Sequence, residues 1–153
     1  SQKPSFRAAF KRRRCVIPAD GFYEWKGKKG NKQPYFITSH SDQPLAFAGL
    51  WETWKRKDAT PEDPIHRSCT IITTTASQSL QDIHHRMPLI LKPDAFDSWL
   101  DPNIQDVNQL NNIMHDQHVR EMKSYPVSKF VNRVQNNSKE CIEPLPECWS
   151  LPH

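Results

Sequence analysis

Glycine is scarce in this chain, with four residues among 153, and the four fail to form a phosphate cradle. Gly21, Gly27, Gly30 and Gly49 match neither a dinucleotide fingerprint nor a P-loop, so no nucleotide cofactor is implied. The four cysteines, Cys15, Cys69, Cys141 and Cys148, include no Cys-x-x-Cys pair. That spacing suits neither a zinc site nor a disulfide framework, and it implies reduced thiols in a cytoplasmic protein. Cys15 and Cys69 lie in apolar stretches and are expected to be packing residues. Asp82, His84 and His85 cluster, but no His-Glu-x-x-His pattern accompanies them, so no metal is expected. No apolar run approaches the roughly 18 residues of a membrane span, and no charged and then apolar leader opens the chain.

What the chain does have is proline, thirteen residues, and aromatics, with seven Phe, five Trp and three Tyr. Those anchors in 153 residues imply one loop-rich globular domain, spanning 1–153 and expected to be monomeric. The charge is lopsided. Residues 1–50 hold ten Lys/Arg against three acids, whereas 51–153 hold eleven against fourteen. Lys3, Arg7 and the run Lys11–Arg14 interleave with Phe6 and Phe10. Cations with aromatics are what a single nucleic-acid strand needs, phosphates on the charges and bases on the rings. The second cluster, Lys26, Lys28, Lys29 and Lys32, contains two glycines and reads as a solvated hairpin turn.

Most segments read as strands: 15–18 and 22–25 flanking a turn at 19–21, then 34–38, 45–51, 68–74 and 122–127. Residues 52–66, with Pro61 and Pro64, read as a long surface loop, and Ser77 as the start of a short turn through Leu80. Pro93 suits a first helical position, with Phe96 and Trp99 three apart. Val107, Leu110 and Ile113 give a second helix over 104–115. The fold class is therefore α+β, mainly antiparallel strands with a few short helices.

Two segments carry chemistry. Pro18-Ala19-Asp20-Gly21-Phe22-Tyr23-Glu24-Trp25 sets one carboxylate, Glu24, among aromatics, a setting that makes a carboxyl usable as an acid or base. Asp82-Ile83-His84-His85-Arg86-Met87-Pro88 places adjacent imidazoles between an acid and an arginine. Brought together, Glu24 and His84 outline an acid–base site. A solvated strand residue and a hydrogen-bonded core histidine remain the competing readings. The paired histidines are expected to point apart on a strand.

Both segments resemble the SOS-response-associated peptidase (SRAP) family. So do Gln33-Pro34-Tyr35-Phe36-Ile37, Ala48-Gly49-Leu50-Trp51, Thr70-Ile71-Ile72-Thr73, Pro126-Val127-Ser128, Val131-Asn132 and Asn136-Asn137. The resemblance implies chemistry on abasic sites in single-stranded DNA. An amino-terminal cysteine condenses with the aldehyde of the opened sugar through its amine, and its thiol closes a thiazolidine crosslink. By the motif match Glu24 handles protons at the amine and His84 is a general acid at the sugar oxygen. Thr73 and Arg86 match positions facing the sugar–phosphate, while His85 receives no catalytic role. The family's Met-Cys-Gly-Arg start is absent, so the chain is expected to hold the carboxyl-terminal two-thirds of the family domain. Such a chain is expected to be inactive in crosslinking by itself and to expose unpaired strand edges. Two other classes stay open, a non-catalytic single-strand DNA binder and a peptidase using Glu24 and His84.

Overall fold

The computed structural model describes residues 4–41, 43–58, 60–116, 119 and 121–146. They cluster into two compact units, each drawn from several stretches of the chain. In chain order the elements are α1 (Pro4–Arg12), β1 (Arg14–Ala19), β2 (Phe22–Lys26), β3 (Gln33–Thr38), β4 (Leu45–Trp54), β5 (His66–Ile71), β6 (Thr73–Thr75), β7 (Arg86–Pro88), α2 (Phe96–Leu100), α3 (Val107–Asp116) and β8 (Lys123–Pro126). Every pairing among them is antiparallel, as the sequence implied.

The first unit (1–19, 45–75 and 86–120) is built on a sheet of order β1-β4-β5 and the ribbon β6-β7. Residues 45–50 of β4 are buried on both faces, whereas Trp51–Trp54 emerge into solvent. The core gathers Ala9 and Phe10 of α1, Ala48 and Leu50 of β4, Leu89, Leu91, Trp99 and Leu110. Trp99 is fully buried, packs edge-on to Phe10 at 6.2 Å and donates its indole N–H to the Cys15 carbonyl at 2.9 Å. β5 forms the sheet's outer edge and is exposed along its whole length.

Several expectations change here. The strands flanking residues 19–21 do not pair with each other; β1 joins β4 while β2 joins β3. The expected loop over 52–66 narrows, because Trp51–Trp54 pair with His66–Cys69 as an extension of the β4–β5 ladder. Part of the basic run is engaged with the protein itself. Phe10 is 3% exposed in the core, and the buried Arg14 guanidinium donates to the main-chain carbonyls of Phe10, Lys11, Trp99 and Asp101. Burial lowers the Arg14 pKa, with Asp101 opposing. Arg13 pairs with Glu52 at 2.5 Å. Phe10, Arg13 and Arg14 thus serve packing and carbonyl capping where α1 meets β1, while Phe6, Arg7 and Arg12 stay exposed.

The second unit (20–44, 76–85 and 121–153) carries a sheet of order β2-β3-β8. Its centre is Phe36, whose ring meets Tyr23 at 5.2 Å and Tyr125 at 5.8 Å. Gly21 is required beside it. A Cβ there would stand 2.4 Å from the Phe36 ring and 2.5 Å from the Ile37 carbonyl oxygen. The Tyr23 hydroxyl donates to the Cys141 carbonyl at 3.1 Å, and burial, with smaller contributions from Cys141 and Tyr125, raises its pKa.

Candidate functional site

Glu24 lies in the middle of β2, opposite Tyr35 of β3. Neighbouring side chains on a strand alternate between faces, so Glu24 and Lys26 share one face while Tyr23 and Trp25 occupy the other. Tyr23 stacks into the aromatic cluster, and the Trp25 indole N–H donates to Asn132 at 2.8 Å. The aromatics flanking Glu24 thus fasten β2 from the opposite face.

The histidine segment is irregular and is held by its backbone. Leu80, 2% exposed, anchors it; its carbonyl accepts the N–H groups of Ile83 at 2.9 Å and His84 at 3.0 Å. The Ser77 carbonyl accepts from Leu80 and Gln81, so the expected turn is present, closed by main chain, while the Ser77 hydroxyl meets Ser79. Ala76 donates to the His85 carbonyl at 3.0 Å.

These two segments bring Glu24 and His84 together. His84 Nδ1 lies 3.6 Å from Glu24 Oε1, within ion-pair reach and longer than a hydrogen bond. The side chains are 37% and 25% exposed respectively, so the pair is open to a reactant yet partly shielded. Two residues further along β2, Lys26 Nζ stands 4.0 Å from Asp82. A carboxylate and an imidazole at this separation can both serve one reactant lying beside them.

His85 departs from expectation. The two histidines leave the chain where it is not a strand, and their rings stack at 4.6 Å with 29° between planes rather than pointing apart. Its spacing in the sequence gave no signal of this, because the stack depends on the local turn.

In the other unit, Arg86 of β7 donates through one Nη2 to both the carbonyl and the hydroxyl of Thr73, each at 2.7 Å. The β6–β7 pairing sets this contact, with Thr73 opposite Pro88 and Thr75 opposite Arg86. Arg7 is exposed on α1, and Lys3 lies outside the described residues. Cys69, expected in packing, is exposed. No group of three or more His, Cys, Asp and Glu able to hold a metal ion occurs among the described residues. No helix among them is long and apolar enough to cross a membrane.

The antiparallel α+β fold is of the SRAP type. The family described as SOS response associated peptidase (SRAP) matches residues 1–134, and the chain belongs to it. It is 43% identical over 144 residues to the abasic site processing protein YoqW of Bacillus subtilis, covering 94% of this chain and 62% of that protein. It is 36% identical over 154 residues to the abasic site processing protein HMCES of Gallus gallus, covering 88% of this chain and 44% of that one. A crystal structure of a Bacteroides thetaiotaomicron protein superposes with a TM-score of 0.79 at 28% identity, covering 94% of this chain and 62% of that one. The chain thus spans less than two-thirds of the length of these relatives.

Proposed function

We propose that this chain carries the acid–base part of a centre that processes abasic sites in single-stranded DNA, with Glu24 and His84 as its proton-handling residues. The observation that carries the reading is their approach to 3.6 Å from segments sixty residues apart. The names of the relatives YoqW and HMCES support the lesion as substrate.

The chemistry is condensation. An abasic sugar exists chiefly as a closed ring, and opening it requires a proton on the ring oxygen as the bond to C1′ breaks. His84 supplies that proton while the C1′ hydroxyl loses its own to solvent, leaving the aldehyde carbonyl. The free aldehyde is attacked by an amino-terminal cysteine lying outside these 153 residues. Glu24 takes a proton from its ammonium, freeing the nitrogen lone pair. The carbinolamine loses water, with the departing oxygen protonated, to give an imine. The thiol then adds across the C=N bond, its proton going to nitrogen, and a thiazolidine joins protein to DNA. Bonds and protons balance with water as the one product released. Arg86, steadied by Thr73, contributes to holding the sugar–phosphate, as does Arg7 with Lys3. The protein acts as a monomer.

The test incubates protein with a single-stranded oligonucleotide bearing one abasic site and looks for a heat-stable adduct on denaturing gels. The 153-residue chain is expected to give none. The same chain extended by a family amino-terminal segment with a processed cysteine terminus is expected to give one. An adduct from the 153-residue chain itself, or none from the extended protein, overturns the reading.

A further inference from the structure

The lysines of the β2–β3 turn were read from sequence as a solvated face, but the structure gives them company. Lys28, Lys29 and Lys32 are exposed on the turn, whose Gly27 and Gly30 adopt φ of 117° and 90°. A 3₁₀ turn over Lys129–Asn132, more than ninety residues later, is fastened to this hairpin at two points. Lys129 Nζ donates to Asn31 at 3.2 Å, and Trp25 donates to Asn132 at 2.8 Å. Exposed Arg133 follows directly.

Some cations elsewhere among the described residues are engaged. Arg13 pairs with Glu52, Arg56 with Asp58 and Asp63, and Lys55 and Arg14 give their protons to carbonyls. On the hairpin this compensation is missing. Among the described residues Lys28, Lys29, Lys32 and Arg133 have no ion-pair partner, and Lys26 has one, the 90% exposed Asp82 at 4.0 Å. The hairpin's own carboxylate, Glu24, faces His84 instead. Gathering like charges without counter-charges costs stability through mutual repulsion, a cost that a polyanion removes.

We propose that the β2–β3 hairpin and the Lys129–Asn132 turn form a phosphate-binding track for one DNA strand, running from the Glu24–His84 pair along Lys26, Lys28, Lys29, Lys32, Lys129 and Arg133. The inference rests on the reading of a DNA substrate and names the surface that takes it. Glu24 and Lys26 share a strand face about 7 Å apart, so the first cation of the track stands beside the pair. Phe130, 37% exposed on the same 3₁₀ turn, offers a ring on which a base can stack. Cations on flexible stems with a nearby ring fit a single strand, whose bases are unpaired, better than a duplex.

Fluorescence anisotropy of the 153-residue chain with labelled, undamaged single-stranded oligonucleotide, titrated across salt concentrations, tests this. Each phosphate contact on a single strand contributes about 0.7 to the slope of log affinity against log salt. The variant Lys28→Ala/Lys29→Ala/Lys32→Ala is expected to lower that slope by about 2 and to weaken binding on the order of tenfold at moderate salt. Lys129→Ala/Arg133→Ala is expected to lower it by about 1. All five positions are exposed, and circular dichroism checks that each variant is folded. Wild-type slope and affinity in both variants, together with a drop in Arg7→Ala/Lys11→Ala, overturn the track and leave the DNA reading standing. Failure of the wild-type chain to bind at low salt sinks both. A loss of duplex binding equal to the loss of single-strand binding overturns the single-strand assignment.

Discussion

The imidazole of His85 stacks on that of His84, with ring centroids 4.6 Å apart. His84 turns its Nδ1 toward Glu24, so of the two adjacent histidines only this one is placed to exchange protons with the carboxylate. In the cysteine-bearing, extended protein, Glu24→Gln keeps size and hydrogen bonding but cannot accept a proton. It is expected to slow adduct formation by roughly 10²-fold or more while sparing DNA affinity. His84→Ala is expected to slow it comparably, and a substrate presented as an open aldehyde should partly rescue it. His85→Ala removes only a stacking partner, and a change of a few-fold is expected. Single-turnover rates for the three variants decide the assignment; a crippled His85→Ala beside a near-normal His84→Ala would reverse it.

Gly21→Ala tests how the fold supports Glu24. Its Cβ would fall 2.4 Å from Phe36 Cζ and 2.5 Å from the Ile37 carbonyl oxygen, and neither neighbour is the free end of a flexible side chain. Phe36 is held between Tyr23 and Tyr125, so the strain must pass into β2 and its pairing with β3. A loss of about 1–3 kcal/mol is expected, which at about 2–4 °C per kcal/mol for a chain of this size lowers Tm by several degrees. Differential scanning fluorimetry reads it, and an unchanged Tm would contradict the packing described.

Strands and helices were legible where the signal is local. The β-branched and aromatic runs at 22–25, 34–38 and 122–127 became β2, β3 and β8, and the spacing of Val107, Leu110 and Ile113 became α3. Glu24 and His84 were singled out by their motifs, though nothing in either segment fixes their 3.6 Å approach. Long-range partnerships were not legible. Phe10 and Arg14 read as a basic, aromatic track, but Trp99, some ninety residues away, draws one ring and one guanidinium into the core. At the hairpin the lysines that read as a solvated turn are exposed in the structure. The 3₁₀ turn fastened to that hairpin gave no signal, since Asn132 and Lys129 lie about a hundred residues downstream of Trp25 and Asn31. In both places the partners lie far off in sequence and near in space.

The Thr73 contact separates positioning from stability. Arg86 Nη2 donates at 2.7 Å to the Thr73 hydroxyl and to its carbonyl, and the pair is exposed. Thr73→Val removes the hydroxyl but leaves the carbonyl, so the stability change should stay below about 1 kcal/mol. If Arg86 holds the sugar–phosphate, its guanidinium must keep its orientation. Arg86→Lys then loses the planar fork and should weaken single-strand binding more than Thr73→Val does. Equal affinity of both variants and wild type in anisotropy titrations would remove these two residues from the DNA contact.

The thiols give a prediction independent of DNA. Cys69 is exposed on β5 and lines an open groove with Phe6 and Trp51. Cys15, on β1, is only partly accessible, and its Sγ would stand 2.9 Å from a Cβ placed on Gly49, so the sheet closes around it. Burial raises the Cys15 pKa, with a smaller contribution from Cys69, so less of it is thiolate at neutral pH. The thiolate is the species that alkylates. Brief iodoacetamide treatment of native protein near pH 7.5 should therefore modify Cys69 before Cys15, with buried Cys141 also slow. Raising the pH toward 9 should speed Cys15 by increasing its thiolate fraction, yet leave it behind Cys69 because access still limits it. Peptide mapping by mass spectrometry resolves the sites. Full labelling in denaturant should erase the order, and a Cys15 that reacts first in the native protein would mean that β1 is not held against β4 as described.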